Sequence, residues 1–285
     1  MNKCLVTKLN GVSNNPDLIK LDELVITLNA TKVGAWLCVT AADKESASIS
    51  VKFNKTVSYG SGNSPEEAVD KTDITETTIV PGIIPFFFAK ETGTIKVSIS
   101  SKFNIASLLT SSTTGSGMEI VDVKGFSFLS NLKTIENKDG NLNIGTLRGF
   151  KSLSKVLLNK GEGLLKSFTN CPLKELTLLS SGIVGTLRDL VNIPTLTTLN
   201  FMYSKSITGN ISDLSSLTSL TSLSVVGTNL TGTIESLADG MKNAGRKSGK
   251  LTVYSTNKEG VTYNDATFDY IVITFSEGTY SVEKH

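Results

Sequence analysis

"TNLTGTIESL", Thr228–Leu237, decides how this chain is read. Leu230, Ile234 and Leu237 are apolar, Gly232 stands two before Ile234, and nothing in the stretch offers catalysis. The same Gly-x-(Leu/Ile) element occurs at Gly145, Gly163, Gly185 and Gly209, so the glycines through Gly232 step by 18, 22, 24 and 23 residues. Self-similarity at a near-constant period is the mark of a chain built by stacking one small unit.

Between the glycines the apolar residues fall every third position. Leu147, Phe150, Leu153 and Val156 do so, then Leu187, Leu190, Ile193, Leu196 and Leu199, then Ile211, Leu214, Leu217, Leu220 and Leu223. Each ladder tightens to a spacing of two at Val156-x-Leu158, Leu176-x-Leu178, Leu199-x-Phe201 and Leu223-x-Val225. A spacing of two puts side chains on one face of a strand. A spacing of three is too short for a sustained α-helix and suits 3₁₀-like or irregular extended turns. Each unit is therefore expected to be a short strand, a bend and a compact return, with its leucines buried only when neighbours stack on it.

These residues resemble a leucine-rich repeat, and "LTGTIESL" is similar to the L-x-G-x-I variant of plant-type repeats, over about residues 126–240. The chain departs from that pattern where the family usually has Asn. Here Gly161, Ser181, Ser204 and Thr228 take the place, so hydroxyls are expected to replace the buried amide ladder. Glu235 stands where a proline often follows the Ile.

The expected fold class is mainly β: an N-terminal β-sandwich or jelly-roll-like domain, then a short leucine-rich-repeat solenoid with a β-hairpin C-terminal cap. The expected divisions are an arm at 1–22, the β domain at 23–109, a linker at 110–117, the solenoid at 118–240 and the cap at 241–285. Leu24, Ile26 and Leu28 alternate, as do Ile49, Val51 and Phe53, and Ile95, Val97 and Ile99. "AWLCV" and "IIPFFFA" suit strands buried on both faces, with Trp36 and Phe86–Phe88 as core. "SPEEAVD" reads as a short helix start capped by Ser64. "ADGMKNAGRKSGK" reads as a solvated helix and loop, and Glu277-Gly278 as a tight hairpin turn.

The chemistry points away from catalysis. His285, the last residue, is the single histidine, which removes His-based triads and most metal sites. The glycines at 60, 62, 115 and 117 follow no phosphate-loop pattern. Cys4, Cys38 and Cys171 are odd in number and far apart, and read as small buried thiols, neither a disulfide framework nor a zinc site. A net charge of +2 gives no general attraction to nucleic acid or anionic lipid. No apolar run reaches the ~20 residues of a membrane helix. In "MNKCLVTKLNG" the apolar core breaks at Lys8, so a signal peptide is not expected. The expectation is a non-enzymatic binding or structural protein with no cofactor and no metal.

Its binding surface is expected on the exposed strand face, at Glu175, Thr177, Leu179, Thr198, Asn200, Met202, Ser222, Ser224 and Val226, with Lys155 and Leu157 beside them. The opening "MNKCLVTKLNGVSNNPDLIKLDEL", the stretch "IPFFFAKETGTIKVSIS", the repeats and the ending "DYIVITFSEGTYSV" together resemble virion proteins of tailed phages of gut Bacteroidetes, crAss-like phages among them. That resemblance implies a bacteriophage head fibre or capsid decoration protein on the virion's capsid surface. It implies capsid or other virion proteins as partners, a homo-oligomer (dimer or trimer) and a possible host-surface ligand. Cys4, Leu5, Val6, Leu9, Leu18 and Ile19 of the arm would be the anchor. The alternative is a bacterial cell-surface leucine-rich-repeat adhesin that binds protein or glycan. A carbohydrate-active enzyme is the third class.

Overall fold

Strands form where apolar and polar residues alternate, and the first of them, Leu24–Ala30 (β1), buries every second side chain. The computed structural model describes residues 22–43, 47–101, 104–110, 117–125, 129–138, 142–144, 150–255, 260–264 and 268–285. The arm residues Cys4, Leu5, Val6, Leu9, Leu18 and Ile19 and the first Gly-x-Leu element at Gly145 lie outside the described residues.

After β1 come Trp36–Ala41 (β2), Ile49–Ser61 (β3), Val69–Ile79 (β4), Pro85–Ala89 (β5), Gly93–Ser100 (β6), Ile105–Leu109 (β7) and Met118–Lys124 (β8). β3 is long enough to serve two neighbours: Ser50–Phe53 pair with β6 and Val57–Ser61 with β5. Alternate residues of both halves enter one core, among them Leu28, Val97 and Phe53 with Leu37, Val39 and Phe87. The expected helix at Ser64 is a turn instead. The Ser64 hydroxyl does accept from Glu67 N (3.2 Å), but β4 starts at Val69 and leaves no room for a second turn.

The remaining strands are Thr134–Asn137 (β9), Lys155–Asn159 (β10), Glu175–Leu179 (β11), Gly185–Thr186 (β12), Thr198–Asn200 (β13), Ile207–Thr208 (β14), Ser222–Ser224 (β15), Gly232–Thr233 (β16), Ser248–Tyr254 (β17), Val261–Thr262 (β18), Tyr270–Ser276 (β19) and Thr279–Lys284 (β20). β9, β10, β11, β13, β15 and β17 are parallel and adjacent. Ile135, Val156, Leu176, Leu199, Leu223 and Val253 stand side by side across them, all fully buried. The triplet-spaced leucines form 3₁₀ turns at Leu165–Phe168, Leu187–Leu190 and Ile211–Leu214.

Hydroxyls take over the buried ladder. Ser181 Oγ donates to Gly161 O (3.0 Å), Ser204 Oγ donates to Leu178 O (2.9 Å), and Ser204 Oγ accepts from Ser181 N (3.1 Å). Thr228 Oγ1 donates to Val225 O (2.7 Å). Each hydroxyl thus satisfies backbone groups that water cannot reach.

In the last coil the spacing changes. Ile234, Leu237, Ala238 and Met241 are buried at intervals of three, one and three, which is the α-helical period, and Ile234–Asn243 is an α-helix (α1) capped by Thr233. Arg246, expected in solvent, is instead 5% exposed. Its guanidinium donates to Leu220 O (2.6 Å) and Lys250 O (2.9 Å) and lies 4.5 Å from the Phe275 ring centroid. β17 and β19 run antiparallel, and β19 turns into β20 through Glu277 (φ 47°) and Gly278 (φ 80°), two left-handed residues of the kind a tight hairpin requires.

The two halves of the chain share one sheet. β7 pairs in parallel with β9, so the first coil stacks on a strand of the N-terminal half. β8, which the sequence places at the start of the repeat region, pairs antiparallel with β1. Thr110, at the start of the expected linker, is buried and donates to Asn137 Oδ1 (2.9 Å). The protein is mainly β, and its described residues form one large mixed sheet of sixteen strands beside two small two-stranded ones.

Candidate binding face

Strand geometry sends alternate residues of the parallel strands away from the leucine core. Across the sheet the register aligns Glu136, Leu157, Thr177, Asn200, Ser224, Tyr254 and Tyr270 in one outward row. A second row holds Thr134, Lys155, Glu175, Thr198, Ser222, Thr252 and Val272. Because paired residues on neighbouring strands are about 5 Å apart, each row is a continuous strip of side chains.

One end of the strip is charged. Lys155 Nζ lies 2.7 Å from Glu136 Oε1 and 3.7 Å from Glu175 Oε2. The hydrogen bond it donates to Glu136 holds the Lys155 ammonium above its ordinary pKa, against the opposing effect of partial burial. The middle is small and neutral, with Thr177, Thr198 and Ser222 half-buried. The far end is aromatic. Tyr254 and Tyr270 are exposed with ring centroids 5.8 Å apart, and His285 stacks on Tyr270 at 4.5 Å.

Of the nine residues expected on this face, Glu175, Thr177, Leu179, Thr198, Asn200 and Ser222 lie on it, exposed or half-buried. Met202 and Val226 stand past the ends of their strands, in turns whose backbone still links the coils: Met202 O accepts from Ser180 N and Val226 O from Tyr203 N. Ser224 is a correction. It is 6% exposed and its hydroxyl has no hydrogen-bond partner, because its neighbour across the sheet is the large Tyr254 and not another small residue. Asn200 spends its carbonyl oxygen on Met202 N (3.0 Å). Tyr254 and Tyr270 were not expected here. Their spacing marks them as outward strand residues, but only the pairing of β17 with β15 brings them onto the same strip.

Cys38 and Cys171 are buried free thiols; burial pushes Cys38 up to about 12 and Cys171 to about 11. Trp36, Phe86 and Phe88 pack with Cys38 and Ala68 in a small separate core. Among the described residues no group of three or more His, Cys, Asp or Glu side chains is placed to hold a metal, and no helix is long and apolar enough to cross a membrane.

No known protein family matches the chain, and no curated protein does. Among solved structures it is similar to a chain of the crystal structure of the Arabidopsis receptor kinase HAESA in complex with the peptide hormone IDA and the co-receptor SERK1. The identity is 20%, the TM-score 0.36, and the likeness covers 51% of this chain and 28% of the other. This chain thus matches little more than a quarter of that protein's length.

That likeness is to a receptor-kinase complex and not to a virion protein, and it corrects the phage reading. The head-fibre or capsid-decoration role, the capsid partners with the implied homo-oligomer, and the virion location do not stand.

Proposed function

We propose that this protein is a non-catalytic recognition protein of the leucine-rich-repeat kind, an adhesin-type module that holds a protein ligand on the outer face of its parallel strands. In this reading the coils are a short repeat solenoid carried on a jelly-roll-like strand domain and closed by the C-terminal hairpin. The observation that supports it most is the register itself: the outward residues of six parallel strands align in two unbroken rows. An extended, rigid strip graded from charged through neutral to aromatic can match a partner over many small contacts, with the tyrosines as anchors. The leucine core holds the rows in place, so little ordering is left for binding to supply.

The test places charge in the middle of the strip. Beads carrying the protein are offered to a panel of bacterial and animal cell surfaces, with and without protease treatment of the cells. Adhesion to at least one surface, abolished by protease and by the triple substitution Thr177→Arg, Thr198→Arg and Ser222→Arg at unchanged Tm, is the expected result. Adhesion that survives the three arginines would count against the strip.

A further inference from the structure

A turn follows each of β10, β11, β13 and β15, and its left-handed residue is Lys160 (φ 59°), Ser180 (φ 47°), Tyr203 (φ 60°) and Gly227 (φ 64°) in these successive coils. The turn demands that conformation, which glycine adopts freely and a bulky side chain resists. Tyrosine at 203 is therefore a residue the turn itself does not favour, and it is not buried there: it is 57% exposed. Its ring occupies the space where a Cβ on Gly227 would stand. The Cδ1–Cε1 edge of the ring thus lies against the glycine while much of the side chain is open to solvent.

Gly227 also lines a depression of about 390 Å³, with Lys205, Thr228, Asn229, Leu230, Thr231 and Gly260. The walls are polar and ordered. Asn229 Nδ2 donates to Lys205 O (2.9 Å), which leaves the Asn229 amide oxygen as an acceptor. Thr231 Oγ1 makes a long hydrogen bond to Gly209 O (3.4 Å). Lys205 makes no ion pair with a described residue. Among the described residues that line the depression none is acidic.

We propose that Tyr203 and this depression form a binding subsite for one anionic sugar residue of a glycan. The chemistry matches point by point. A pyranose ring has an apolar face of C–H groups that packs on an exposed aromatic ring. Its hydroxyls need mixed donors and acceptors, which Asn229, Thr231 and the coil backbone supply. A uronic carboxylate needs a cation, and Lys205 is the unpaired one at this site. An uncharged apolar ligand would leave the polar wall unsatisfied. The subsite lies beyond the strand ends and does not depend on the protein-binding strip.

The probes are trisaccharides of galacturonic acid and of mannuronic acid, with maltotriose as the neutral control, followed by saturation-transfer NMR and calorimetric titration of the full chain. A uronate trisaccharide is expected to bind, with transfer strongest to the ring C–H protons. Tyr203→Gly is expected to weaken it by about tenfold or more, and Lys205→Met by about threefold or more. Glycine is native at the matching position 227, so Tyr203→Gly keeps the turn, and an unchanged Tm verifies it. Thr177→Arg, on the strip, is expected to leave uronate binding unmoved. No binding by either uronate probe, or equal affinity in Tyr203→Gly, overturns the subsite. Maltotriose binding as tightly as the uronates, with no effect of Lys205→Met, overturns the anionic ligand.

Discussion

Arg246 reaches across the end of the repeat array and donates a hydrogen bond to the carbonyl of Leu220 at 2.6 Å, joining residues 26 positions apart. A second bond runs to Lys250 O, and the Phe275 ring covers the guanidinium. One side chain thus ties the last 3₁₀-turn coil to β17 and to the closing hairpin. Burial lowers its pKa, and the two carbonyls with the aromatic ring are what compensate for the lost water.

Arg246→Ala should therefore cost about 2–4 kcal/mol, because it leaves buried carbonyls without donors. Arg246→Lys should recover little, since one ammonium lacks the planar fork that reaches both carbonyls and stacks on Phe275. Urea unfolding of the two variants checks this. A cost within error of zero for Arg246→Ala would mean the contacts are incidental.

The hydroxyl ladder is equally specific. Ser204 Oγ donates to Leu178 O and accepts from Ser181 N in a fully buried position. Ser204→Ala should lose about 1–3 kcal/mol, while Ser206→Ala, at an exposed position nearby, should change stability by no more than about 0.5 kcal/mol. Amide exchange at Ser181 should accelerate in the first variant and not in the second.

The leucine rows set the larger energies. Leu199 is fully buried between Leu176 and Leu223, and Leu199→Ala should cost about 2–5 kcal/mol through the cavity left in a stack that closes only partly. Its neighbour Thr198 points to the outer face and is half-buried, so Thr198→Ala should stay within about 0.5 kcal/mol. A larger cost at 198 than at 199 would mean the sheet's inner and outer faces are reversed.

Burial of the thiols predicts a stability profile in alkali. Folding raises the pKa of Cys38 from 9.0 to about 12 and of Cys171 to about 11, so the folded state keeps protons that the unfolded chain gives up. Their contribution is fully present below pH 9.0 and declines as pH rises through about 11 to 12. Melting temperatures across that range should fall less steeply in Cys38→Ala than in the parent chain. In a Cys4→Ser background the native protein should also react slowly with a thiol reagent at pH 8 and fast once unfolded.

Much of the fold was legible in the residue pattern. Leu199-x-Phe201 and Leu223-x-Val225 alternate as strands must, Ile211, Leu214, Leu217 and Leu220 recur at the interval a 3₁₀ turn needs, and Glu277-Gly278 supplies the left-handed pair of a hairpin. The outer strip was half legible. Thr177, Thr198 and Ser222 follow from alternation, yet the tyrosines of β17 and β19 and the burial of Ser224 do not, because they depend on which strand lies beside which. Arg246 was misread for the same reason: a cation among Lys242, Lys247 and Lys250 looks solvated until Leu220 O and Phe275 are brought to it.

Local steric and hydrophobic rules act within a few residues, so composition and spacing alone settled the strand-and-turn units, their stacking and the inward leucines. Long-range pairing settled the rest: that β7 carries the first coil, that β8 returns to β1, that the final coil closes with an α-helix over Arg246, and that Tyr203 rests on Gly227 beside a polar depression. These contacts join residues far apart along the chain, and no interval in the sequence encodes which distant backbone a side chain will meet.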